Sequence, residues 1–206
     1  MSKKYILNCL PYYLSVVIIL IFFGISYIPS HSTSDILLLL AEAIVTGVLE
    51  ELIFRGLIQG KIEKKLSEKK KIYSIFIAAF IFGVVHMSNM FQMDYTFGKA
   101  FFQSFNALMI GLLYGSIYFK DKKLIHVMIL HSVYDFAAFM SDPSSITVFQ
   151  IDILDILLYF IALLVFLKVF FDITGYIKNK TKTINIVYWI LSSILLIGMI
   201  LYFTIL

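Results

Sequence analysis

Apolar runs of membrane-crossing length alternate with short polar breaks along the whole chain. Seven runs, at about 11–29, 36–60, 72–93, 100–119, 124–140, 149–171 and 184–206, come near the ~20 residues an α-helix needs to cross the hydrocarbon core. The fifth is at the short end and the second at the long end. The pattern predicts an all-α fold, a polytopic helical bundle of about seven transmembrane helices forming one domain over residues 1–206. No polar stretch between the runs exceeds a short loop, so no soluble domain is expected.

Composition agrees with this pattern. Apolar residues make up 61% of the chain and charged residues 15%, with mean hydropathy +0.94. A soluble domain carries roughly 45–50% and 25%. The single Cys9 excludes an internal disulfide framework and a four-cysteine zinc site, and reads as a small apolar filler. The stretch from Lys3 to Pro29 has a basic start but an apolar body too long for a signal peptide, and it reads as a retained first span.

Charge is more informative by position than by total. With the N-terminus inside, fifteen of the seventeen basic residues fall on inside segments: Lys3, Lys4, the run Lys61 to Lys71, Lys120 to Lys123, and Lys168 to Lys182. Cytoplasmic loops carry such an excess, which puts the N-terminus in the cytoplasm of a multi-pass protein of the cell membrane. The run Lys61 to Lys71 is read as a solvated, topology-setting loop. No nucleic-acid partner is expected; the bilayer is.

Against this apolar ground, Glu50-Glu51-Leu52-Ile53-Phe54-Arg55 places three ionisable groups inside one span. Each costs on the order of 3 kcal/mol or more at the bilayer centre, so such groups turn toward a protein interior or wet cavity. Two other spans supply partners. His86 ends the segment Phe82-Gly83-Val84-Val85-His86, and His131 lies four residues before Asp135 on one helical face. From a rise of ~1.5 Å per residue, Glu50 and Glu51 lie roughly 15 Å deep, Arg55 9 Å, His86 21 Å, His131 10 Å and Asp135 17 Å. All six are expected to converge on one chamber.

Structural readings stand beside the chemical ones. Glu51 and Arg55, four apart, form an ion pair that neutralises both. Glu50 projects about 100° around the helix from Glu51, so the two acids need not share a partner. Glu50 is then the acid left for chemistry. His126 is interfacial, and Asp35 and His31 fall in outside loops. Gly111 and Gly115 form a small-x-x-x-small pair that lets helix backbones approach.

Taken in order, Glu50-Glu51-x-x-x-Arg55, Phe82-x-x-x-His86 and His131-x-x-x-Asp135 resemble the motifs of the CAAX protease and bacteriocin-processing membrane proteins. These are also called the Abi family or type II CAAX prenyl endopeptidases. The stretch from Phe105 through Gly111 and Gly115 to Tyr118 looks like the family's intervening glycine motif. The resemblance covers about residues 36–140 as a catalytic core. It implies an intramembrane endopeptidase acting on a peptide or membrane-protein substrate. Glu50 and His86 would activate water, His131 and the residue four later would stabilise the oxyanion, and Glu51 with Arg55 would hold the acid-bearing helix. Asp135 stands where eukaryotic members carry Asn, and an ionised Asp would orient His131 rather than donate to an oxyanion.

Two questions stay open at this level. There is no His-Glu-x-x-His, yet Glu50, His86 and His131 offer the two histidines and carboxylate of a catalytic zinc site, beside a metal-free glutamate mechanism. A non-catalytic immunity or regulatory protein of the same family is the alternative function. A proton-coupled transporter ranks below both, because the internal repeat of that class is missing.

Overall fold

The computed structural model describes residues 32–92 and 95–140, with Leu164. The first, sixth and seventh expected spans lie outside the described residues, apart from Leu164 in the sixth, and Cys9 lies outside them too. Those described are helical, with no strand among them.

The first helix, α1 (Thr33–Glu51), begins at a reciprocal cap. Ser32 Oγ accepts from the Asp35 amide and Asp35 returns a bond to the Ser32 amide, which satisfies two otherwise orphaned N–H groups. Asp35, expected in an outside loop, is thus part of a helix start. From Glu51 the helix continues without a break into a π-helical segment, Leu52–Gln59, and then α2 (Gly60–Lys65). π-turns bond i to i+5, are rare, and concentrate at functional sites. Here the widened turns begin at the residue after the paired glutamates.

After a single 3₁₀ turn at Glu68–Lys70 comes α3 (Tyr73–His86), followed by the short α4 (Asn89–Gln92). A span to residue 93 was expected, and the helical stretch from Glu68 runs to Phe91, with α3 closing at His86 and α4 following it. The Met87 and Ser88 amides bond three residues back, to Val84 and Val85, and Ser88 Oγ takes the Val85 carbonyl at 2.7 Å. Such i→i+3 bonds tighten and end a helix. His86 is therefore the last residue of α3. Helix α5 (Phe97–Asp121) is capped by Thr96 and ends at Lys122, the one non-glycine residue with positive φ (57°) among those described. Helix α6 (Leu124–Met140) matches the expected fifth span.

Packing groups the helices in two pairs, α1 along α6 and α3 along α5, and the π segment touches α3, α5 and α6. Small residues set the pair distances. A Cβ on Gly47 would lie 2.7 Å from the Ser132 amide nitrogen, and one on Gly111 3.1 Å from Ala79 Cα. Buried apolar clusters fill the α3/α5 seam (Ile72, Ile75, Ala79, Leu112) and the space under the site (Phe54, Phe82, Ala107).

Much apolar surface faces outward instead. Leu38, Phe80 and Phe97 are all more than 60% exposed. Among the described residues, two helical stretches, Glu68–Phe91 and Phe97–Asp121, are long and apolar enough to cross a membrane.

Candidate active site

Arg55 is the hub of a buried polar cluster. Its Nη1 donates to Glu51 Oε1 at 2.8 Å and its Nη2 to the Gly111 carbonyl at 3.3 Å, with both side chains of the ion pair at 1% exposure or less. The guanidinium carbon lies 4.9 Å from the Phe82 ring centroid and 5.7 Å from that of Tyr114. Aromatic faces attract a desolvated cation, so the two rings share with Glu51 the work of holding it. The ion pair expected from the i,i+4 spacing is present.

The same Glu51 oxygen accepts from His131 Nδ1 at 2.7 Å. His131, on α6, is 4% exposed, and its Nε2 faces Glu50 Oε2 and Asp135 Oδ1, each at 3.5 Å. Three carboxylates thus surround one imidazole. The two glutamates share His131 after all, one at each ring nitrogen, although successive residues diverge around a helix. His131 sits across the α1/α6 seam and is wide enough to meet both. The carboxylate that orients the ring most closely is Glu51; Asp135, the orienting group expected from sequence, is the more distant contact. Glu51 Oε2 and Asp135 Oδ2 are buried without a hydrogen-bond partner among the described residues. Glu50 differs from both in retaining 27% side-chain exposure, so it is the acid of the three that a reactant can reach.

His86 stands beside this group across the Phe82 ring, which makes edge contacts with His86 at 4.6 Å and with His131 at 5.8 Å between centroids. Its Nδ1 donates to the Phe82 carbonyl at 2.8 Å. In the neutral ring that bond leaves Nε2 as the acceptor nitrogen. Among the described residues no three His, Cys, Asp or Glu side chains form a group able to hold a metal ion.

Other polar groups escaped the sequence reading. Gln59, fully buried, donates from Nε2 to the Gly115 carbonyl at 2.9 Å, and Tyr114 donates to the Leu130 carbonyl at 3.2 Å. Gln59 follows Glu51 and Arg55 at the same four-residue step, a spacing that could have drawn attention to it. Asn106 Nδ2 donates to Tyr134 Oη at 2.7 Å, bridging the two helix pairs. His126 contacts Asp121 Oδ2 at 2.5 Å at the α5–α6 junction.

Among the described residues, long apolar exposed faces accompany a buried Glu–Arg–His cluster next to a reachable carboxylate, the features of a helical membrane protein with a polar site. The chain belongs to the type II CAAX prenyl endopeptidase Rce1-like family, whose model matches residues 31–137, just over half of its length. That family is one of proteases, and at the family level this is a CAAX-type membrane endopeptidase with a peptide substrate. No curated protein and no solved structure matches the chain.

Proposed function

We propose that the protein cleaves peptide bonds inside the membrane with water activated by Glu50 and His86. The observation that carries this reading is the contrast within the cluster. Glu51, Arg55 and His131 are locked together and buried, while Glu50 faces His131 Nε2 and keeps an accessible edge. A general base must reach the proton it removes, directly or through one water. Glu50 takes a proton from water as the water oxygen bonds to the scissile carbonyl carbon. His86, with Nε2 as acceptor, orients that water. The carbonyl oxygen gains the negative charge and accepts a hydrogen bond from protonated His131, poised among three carboxylates. Collapse of the tetrahedral intermediate breaks the C–N bond, and the proton held by Glu50 passes to the leaving amine.

Glu51 and Arg55 keep His131 in place, and Asp135 supports its Nε2 side. These roles run on carboxylate and imidazole alone. The protein is multi-pass, with its N-terminus and lysine-rich loops in the cytoplasm.

The test uses purified protein and a farnesylated, internally quenched peptide ending in a cysteine followed by two aliphatic residues and a variable one. The wild type is expected to cleave it, and Glu50→Gln, which keeps shape but not basicity, to abolish cleavage while the protein accumulates normally. Full activity in Glu50→Gln refutes the assignment. Absence of any wild-type turnover favours the non-catalytic reading of the family.

A further inference from the structure

Helix α5 carries no acid or histidine of the site, yet it packs along α3, which carries His86, and touches both α6, which carries His131, and the π segment that follows Glu51. Arg55 and Gln59 are one helical step of four apart, and each donates to the carbonyl of a glycine on α5, Gly111 and Gly115, which are also four apart. The two bonds therefore set the register of the glutamate-bearing helix against α5. Glycine makes the contact feasible. A Cβ on Gly115 would lie 3.1 Å from Gln59 Oε1 and 3.1 Å from Ile75 Cγ2. On the next face, Tyr114 of α5 donates to the carbonyl of Leu130, the residue immediately before His131.

An unbroken path thus runs from Gln59 through Gly115 and Tyr114 to the backbone at His131. Arg55 and Glu51 close the circuit on the other side, from Gly111 back to His131 Nδ1. Packing alone does not call for these polar groups. Gln59 is fully buried and its Oε1 has no hydrogen-bond partner among the described residues, so an apolar side chain of that size would avoid an unpaired acceptor. A buried amide carrying such a penalty is informative when it fixes geometry that apolar packing leaves loose.

We propose that Gln59 and Tyr114 are positioning residues for the reaction, using α5 as a register bar that sets His131 against Glu50. This rests on the catalytic reading above, but its test does not depend on turnover alone. Gln59→Met and Tyr114→Phe keep shape while removing one donor each, and both are made in the full chain, purified in detergent. The first readout is the imidazole nitrogen resonances of protein labelled at its four histidines, with His131 assigned by a His131→Gln control. Both variants are expected to shift the His131 signals and leave those of His126 in place. The second readout is steady-state cleavage of the farnesylated quenched peptide. Since misplacement of about 1 Å costs roughly 100-fold, kcat is expected to fall between 10- and 100-fold with KM unchanged.

His131 signals that coincide with the wild type in both variants overturn the proposal, even if melting temperature drops, because the bonds would then be structural only. A shift confined to one variant overturns the shared path. Should the wild type fail to cleave the peptide, the catalytic reading falls while the His131 resonances still decide whether the path exists.

Discussion

Removing the Arg55 guanidinium would leave Glu51 with His131 alone as a charged partner in a fully buried position, while two aromatic rings lose the cation they flank. Breaking a buried ion pair by deleting one partner costs about 3–5 kcal/mol, because the remaining charge is uncompensated. Arg55→Ala is therefore expected to lower the thermal midpoint in detergent and the amount of protein in the membrane along with activity. Glu50→Gln, at a partly exposed carboxylate, should leave the midpoint within a degree or two; comparing the two midpoints by a thermal-shift assay checks the division between a holding pair and a reacting acid. At this scale the sequence was readable where spacing decides. The Glu51–Arg55 pair follows from four residues on one face, and it is there. The Glu51–His131 bond was not readable, because it depends on how far α1 and α6 approach, and that distance is set by Gly47 against Ser132.

Between helices, glycine is the variable that matters, and two positions predict opposite results. At Gly47 a methyl group would meet the backbone nitrogen of Ser132 at 2.7 Å, where nothing can move without parting α1 from α6. Gly47→Ala is expected to destabilise the protein by about 1–3 kcal/mol, the usual penalty of overpacking, and to weaken activity through the seam that carries His131. At Gly98, in the first turn of α5, a methyl group meets nothing within 4 Å. Gly98→Ala should be neutral or stabilising by up to about 1 kcal/mol, from helix propensity alone. Thermal midpoints of the two variants measure this contrast directly. The Gly111 and Gly115 pair was legible as a close-approach motif. What they approach was not: Ala79, Ile75 and the Gln59 amide come from elements far apart in sequence. The π-helical stretch after Glu51 was invisible as well, since apolar spacing reports a helix without reporting its pitch. The start of helix α6 was legible because Lys122 and Lys123 mark it; the tightened turn after His86 was not, because Ser88 bonds back to Val85 inside a still apolar run.

For the whole molecule the open matter is which way the bundle faces, and one contact bears on it. Lys122, at the α5–α6 junction, reaches Glu63 near the end of α2 with both carboxylate oxygens at 2.6 and 2.7 Å, across 59 residues of sequence. The loop that follows α2 and the junction between α5 and α6 therefore lie at one end of the bundle. Those two segments carry Lys61, Lys64, Lys65, Lys69, Lys70 and Lys71, and Lys120, Lys122 and Lys123, whereas the connection between α4 and α5 carries none before Lys99. A single face collects the lysines of two loops, and the orientation proposed above puts that face in the cytoplasm, where loops carry an excess of lysine. A reporter active only in the cytoplasm, fused after Leu66, is expected to be active, and a reporter active only outside, fused after Asp142, is expected to be active as well. The Lys122→Glu variant adds a finer check: it breaks the bridge to Glu63 and reverses one charge of nine on that face, so it should weaken the loop contact without inverting either fusion. Both fusions reporting the opposite side would place the lysine-rich face outside, and substrate entry would then have to be sought from the other end of the site.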